Sequence, residues 1–392
     1  MKRGILATVS SACGLLLVSQ PALAEEPERS ALPAPDTLSC TLEPAAFCRL
    51  PGALGVATAR EHLGGRDTAF WREGSILHVA ARRESGPARL CCAIQETLHD
   101  LGDGLHWGAS FHIRNLDRAF LDIFVMPDDM SSFTPDAPPV FRGPEALAPP
   151  PRVEEPIGRI FEADLPASAL GGSRRLTVYV PPGEPPAGGW PVVYAGDGGV
   201  VYGYGQIAEA LADAGRIRPV LLVGIWDGNS ANPERQPGRD LRAREYLWGR
   251  DAERFAAHEE FVLHTVIPWA ESELNASSDP QQRMLFGMSN SAGWAVATAL
   301  RNPGLFGYVS AASFGWPNSV YAGEPDPATR YTIGSGELEI AFARHSTELA
   351  HWLEERGAEA DLTLFTTGHS PLGFEQQFAR GLLDAFRAEP SD

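Results

Sequence analysis

A serine, a histidine and a carboxylate, each placed just after a strand-like run, could together carry acyl-transfer chemistry. The serine is Ser289 in LFGMSNSAGW, residues 285–294. An apolar run stops at Gly287, small residues stand at Ser291, Ala292 and Gly293, and a helical pattern follows. A sharp strand-to-helix turn that exposes a serine needs small neighbours, because the backbone passes close to itself there. The pattern is G-x-S-x-S, one glycine short of the G-x-S-x-G elbow. A serine that only caps a helix would read similarly. A hydroxyl is a poor nucleophile without a base. Where such an elbow works, an acid and then a histidine follow the serine along the chain. Three of the ten histidines follow Ser289: His345, His351 and His369. The first two fall inside a helical pattern. His369, in TTGHSPLGF, opens the loop after the last strand-like run and is the candidate base.

The acid is expected after the strand RYTIGSG, where GSGELE offers Glu337 and Glu339. A carboxylate there would orient the histidine and stabilise its charged form. Glu339 is preferred, with Glu337 as the alternative. A developing oxyanion needs donors. The backbone N–H of Asn290, just after the serine, is one. Gly198 or a neighbour in the DGG turn after WPVVYAG is the other. This chemistry calls for no cofactor and no metal. HEEFVLH (258–264) lacks the H-E-x-x-H spacing that sets two ligands on one helical face, and GDGGVVYGYG lacks both the P-loop lysine and G-x-G-x-x-G.

The elements that must hold these residues change in kind along the 392-residue chain. Residues 37–130 read as a β-sandwich-like domain, with extended runs at 75–83, 88–99, 105–115 and 119–127 split by GP, GDG and LD turns. Residues 131–155 are proline-rich and aperiodic, as in a linker or strap. From 156 to 392 near-continuous apolar strands alternate with helices, which implies a mostly parallel sheet covered on both faces. In such sheets ligands sit beyond the carboxyl ends of the strands. One helix, ERFAAHEEFVLHTVIPW, sets Phe255, Val262, Val266 and Trp269 on a common face.

Residues 1–24 read as a secretory signal peptide: Lys2 and Arg3, an apolar stretch, then Ala22-Leu23-Ala24 before Glu25-Glu26. The cut is expected after Ala24 and the mature protein is expected in the periplasm or outside the cell. No apolar run reaches the ~18 residues of a membrane span. The formal charge of −18 argues against a nucleic-acid partner. In an oxidising compartment Cys40, Cys48, Cys91 and Cys92 suggest up to two disulfides, with adjacent Cys91 and Cys92 each expected to pair with a more distant cysteine.

VYAGDGG, GRDLRAREYLWG, VIPWAESEL, RMLFGMSNSAGWAVATALRNPGLFG, GSGELE and GHSPLGFEQQF occur in the order seen in the esterase D-like hydrolases, and the chain most resembles their enterochelin (siderophore) esterase branch. The resemblance covers roughly 156–390 and extends less specifically to the β-domain before it. It implies an α/β-hydrolase fold, ester chemistry through Ser289 and His369, and Glu339 as the acid. It also matches the branch's R-x-x-E pattern to Arg242 and Glu245, which would shape the substrate pocket; a helix-face ion pair is the plainer reading. Three positions depart from the family: Ser291 for an elbow glycine, Ser370 where an aspartate commonly follows the histidine, and a long loop at 227–250.

The expected activity is therefore a serine esterase acting on a small-molecule or glycan-linked ester. A siderophore ester would favour cations near the pocket, such as Arg242 and Arg244. A carbohydrate acetyl or feruloyl ester would favour aromatic platforms, and Trp226, Trp248 and Trp316 stand in or near the relevant loops. The competing class is a binding protein built on a silent hydrolase scaffold.

Overall fold

Apolar strands that bury both faces organise the second half of the chain. The computed structural model describes residues 46–84, 86–127, 139–231 and 240–388. The expected signal peptide, Cys40 and part of the 131–155 segment lie outside the described residues. These described residues belong to one compact unit.

The first sheet contains β1 (Phe47–Arg49), β2 (Thr68–Glu73), β3 (Ile76–Arg82), β4 (Ala88–Cys92), β5 (Thr97–Asp100), β6 (His106–Ile113), β7 (Phe120–Pro127) and β8 (Val140–Arg142), with α1 (Val56–Leu63) between β1 and β2. Its pairings are antiparallel; seven strands run in the order β2-β3-β6-β5-β4-β7-β8, and β1 pairs with β6 off that path. The runs expected at 75–83, 105–115 and 119–127 correspond to β3, β6 and β7, but the run at 88–99 is two strands, and the linker segment supplies β8 to this sheet. The disulfide expectation needs correction. Cys91 bonds to Cys92, across a cis peptide bond. The expectation rests on adjacency alone, and both cysteines stand at the C-terminal end of β4. Cys48 is also disulfide-bonded.

The second sheet contains β9 (Arg159–Ala167), β10 (Gly172–Val180), β11 (Val192–Gly196), β12 (Leu221–Ile225), β13 (Arg283–Met288), β14 (Tyr308–Ala312), β15 (Arg330–Gly336) and β16 (Glu359–Phe365). The order is β16-β15-β14-β13-β11-β12-β10-β9. Strands β11 to β16 pair in parallel, while β9 and β10 close the far edge antiparallel. Helices α2 (Val201–Asp213), α3 (Gly228–Ala231), α4 (Leu241–Tyr246), α5 (Ala252–Phe261), α6 (Ile267–Leu274), α7 (Asn290–Arg301), α8 (Ile340–Glu354) and α9 (Pro371–Ala385) follow the connections.

Side-chain alternation explains why both faces are apolar. Val192, Tyr194 and Leu285 belong to one buried cluster with Trp294 and Phe255, whereas Val193, Met284 and Phe286 belong to the other with Ile207 and Phe378. The expected helix at 253–269 is α5, a π-turn over Val262–Val266, and α6. Phe255, Val262 and Val266 are buried in the first of these clusters and Trp269 packs against it. No helix among the described residues is long and apolar enough to cross a membrane.

Candidate active site

Ser289 occupies the single residue between β13 and α7, with φ 56° and ψ −121°. A non-glycine side chain with positive φ is costly and persists only where its surroundings hold it there. Here the Ser289 N–H donates to Ala312 O at 2.9 Å. The turn is tight: a Cβ at Gly287 would lie 1.9 Å from Ser291 O. The departure at Ser291 is compensated on the neighbouring strand, because a Cβ at Gly196 would come within 2.5 Å of Ser291 Cβ. Gly196 leaves the space that the missing elbow glycine would have left.

His369 Nε2 lies 3.1 Å from Ser289 Oγ, and its Nδ1 lies 2.6 Å from Glu339 Oε2. A carboxylate at that distance holds the ring proton on Nδ1 and leaves Nε2 to accept from the serine. The other oxygen of Glu339 accepts from the Ser313 and Ser335 hydroxyls and from the Gly336 N–H at 2.7 Å. Glu339 is therefore buried but fully satisfied, as a buried charge must be. The rings of Phe342 and Phe374 flank His369, at centroid distances of 4.5 and 5.1 Å. Parallel pairing of β15 with β16 brings the loops of Glu339 and His369 together, and two bonds staple them: Glu337 N–H to Phe365 O and Leu338 N–H to Thr367 O. Glu337 is turned the other way. Its Oε2 lies 3.9 Å from Arg114 Nε of the segment after β6.

The turn after β11 carries a residue that sequence reasoning passed over. Asp197 has φ 57° and receives Arg242 through both oxygens, at 2.6 and 2.7 Å. The Ser291 hydroxyl lies 2.8 Å from its Oδ2, and its N–H donates to the Tyr246 hydroxyl at 3.0 Å. Gly198 follows directly, under the indole of Trp226, whose N–H donates to Thr177 Oγ1 at 2.8 Å. Asn290, the other oxyanion candidate, opens α7 immediately after Ser289. The DGG stretch reads as a flexible turn; only the fold reveals that its aspartate is gripped from three sides.

The residues expected to touch substrate are held by other partners. Arg242 serves Asp197. Glu245 is completely buried and takes Arg174, Arg254 and the Gly228 N–H. Arg242 and Glu245 thus form neither a pocket pair nor an ion pair with each other, and Glu245 has no surface to offer a ligand. Arg244 pairs with Asp251. The indole N–H of Trp316 donates to Trp248 O at 2.9 Å, and Trp226 covers the Gly198 turn; each remains half-buried.

The Esterase family model, described as "Putative esterase", matches residues 167–385, more than half of the chain. The chain belongs to this esterase family. The esterase is 25% identical over 155 residues to the uncharacterized protein YjcH of Bacillus subtilis, a match spanning 39% of this chain and 60% of YjcH's length. It is 24% identical over 231 residues to the uncharacterized protein YbbA of the same organism, spanning 55% of this chain and 91% of YbbA. Among solved structures it resembles the enterobactin esterase FES of Shigella flexneri, crystallised in the presence of enterobactin, with a TM-score of 0.61 at 15% identity over 82% of this chain and 96% of that one. The ferric enterobactin esterase of Salmonella typhimurium also gives 0.61 at 15% identity, over 81% and 95%. Identities this low speak for the fold.

Proposed function

We propose that this esterase hydrolyses a carboxylic ester through an acyl-enzyme on Ser289. The observation that carries the reading is the continuous chain Glu339–His369–Ser289, with contacts of 2.6 and 3.1 Å. Ser289 Oγ attacks the carbonyl carbon while His369 Nε2 takes its proton, and Glu339 stabilises the imidazolium. The N–H groups of Asn290 and Gly198 receive the oxyanion. His369 returns the proton to the leaving alcohol, and water, deprotonated by His369, then releases the acid.

The substrate class we propose is a siderophore-type ester. Support comes from the fold likeness to enterobactin esterases, which takes in 96% of the FES chain and reaches well beyond the 167–385 segment of this one. Arg242 and Arg244 lend it no support, since both are already paired. A carbohydrate acyl ester is the competing substrate. Turnover of a catecholate trilactone beside acetylated and feruloylated sugars separates them: preference for the sugars sinks the siderophore assignment while leaving the serine mechanism intact. The proposed site is periplasmic or extracellular, with the leader cut after Ala24. The Cys91–Cys92 disulfide supports an oxidising compartment. The N-terminal sequence of protein recovered from the producing cells tests this, and a retained leader contradicts it.

A further inference from the structure

Both loops that carry the proposed acid and base rest on the first sheet. Leu338, beside Glu339, is buried in that sheet's core with Leu90 and Ile123. The Phe120 N–H donates to Thr366 O at 3.1 Å, and the Phe120 and Phe365 rings meet edge to face. Gly368, the residue before His369, lies so close to Ala93 that a Cβ there would stand 1.8 Å from the Ala93 carbonyl oxygen.

One buried carboxylate ties this seat together. Asp122 of β7 is 3% exposed. Its Oδ1 accepts the Ala93 N–H at 3.0 Å. Burial raises its pKa, while the Ser370 hydroxyl and the Cys92 N–H lie near enough to favour its charged form. Ser370 is the residue after His369 and caps α9, accepting the Leu372 N–H at 3.2 Å. A hydroxyl has one proton and two lone pairs, so Ser370 can donate to Asp122 and accept from the helix at once. Asp122 thereby holds Ser370 on one side of the histidine and, on the other, the Ala93 surface against which Gly368 packs.

We propose that Asp122 is a positioning residue for His369, so that the first sheet is part of the catalytic apparatus. The inference rests on the serine-esterase reading above. A histidine displaced by a fraction of an ångström still binds no substrate less well, but it meets the serine hydroxyl less often in reacting geometry. The loss therefore falls on kcat and spares KM.

The test compares Asp122→Ala, Asp122→Asn, Ser370→Ala and the Asp122→Ala/Ser370→Ala pair in full-length mature enzyme, with a chromogenic short-acyl ester and a melting curve for each. The Asn variant keeps an acceptor for Ala93 and serves where the Ala variant does not fold. The expected result is a kcat loss of about tenfold in each single Ala variant, KM within about twofold, a smaller loss in the Asn variant, and a double variant no worse than the singles. Wild-type kcat in folded Asp122 variants overturns the inference, and so do losses that multiply in the double variant. Ser289→Ala in the same assay keeps the two readings apart. If it retains turnover, the serine mechanism fails; if it is dead while the Asp122 variants run at wild-type kcat, only the positioning role fails.

Discussion

The Ser291 hydroxyl lies 2.8 Å from Asp197 Oδ2, joining the turn after the proposed nucleophile to the turn after β11. Ser291 Oγ also accepts the Met288 N–H at 2.8 Å. A residue that departs from the family elbow is thus a joint between the turn after β13 and the turn after β11. Ser291→Ala leaves the half-buried Met288 N–H without its acceptor and Asp197 with one donor fewer beside Arg242. The expected cost is about 1–3 kcal/mol of stability, read from denaturant melts; a variant as stable as the parent contradicts the joint.

Arg242 closes the same network from α4. Its two bonds to Asp197 need the planar fork of a guanidinium, which an ammonium cannot copy. Arg242→Lys is expected to lower kcat by about tenfold or more through a loosened oxyanion turn, with KM less affected. If KM rises and kcat holds, Arg242 binds substrate, as the R-x-x-E resemblance implied.

Glu339 and Glu337 differ by two positions and by everything around them. Glu339→Gln removes the charge opposite the imidazolium and is expected to reduce kcat by about a thousandfold or more. Glu337→Gln, on the side facing Arg114, is expected to stay within a few-fold of the parent. Steady-state kinetics on the pair decides it, and an equal loss from both would remove the assignment.

The parts of the site that sequence reasoning reached are those that topology alone sets. In a parallel sheet the loops after β13, β15 and β16 must emerge at one edge, so Ser289, Glu339 and His369 could be paired from their order. Asp197 was missed because an aspartate before two glycines reads as turn chemistry, and its partners lie 45 and 94 residues away. The spacing of Arg242 and Glu245 suggested a shared face. Helix α4 instead points Arg242 toward Asp197, while Glu245 enters the core between Arg174 and Arg254. The first sheet was read less completely. Strands β1, β2 and β8 are short or polar, and β4 with β5 formed one apolar run whose break at the cysteines carries no glycine or proline.

Glu245 also has a neighbour that makes stability depend on pH. His258 is fully buried against Tyr246 and Trp294, and burial lowers its pKa from 6.5 to about 4. The nearby Glu245 opposes that shift and the Arg174 and Arg254 charges add to it. Between pH 6.5 and about 4 the unfolded chain binds a proton that the folded one refuses, so stability falls as pH drops through that window. The contribution is on the order of 3 kcal/mol. His258→Phe is expected to flatten the acid slope of a melting-temperature profile; an unchanged slope contradicts the assignment.

The most direct measurement is hydrolysis of a short-acyl chromogenic ester by the mature protein beside Ser289→Ala, with fluorophosphonate labelling of both. The account predicts turnover and labelling in the parent, a loss of activity of about a thousandfold or more in the variant, and no label on it. Equal turnover in the two, or an unlabelled and inactive parent, contradicts Ser289 as the nucleophile.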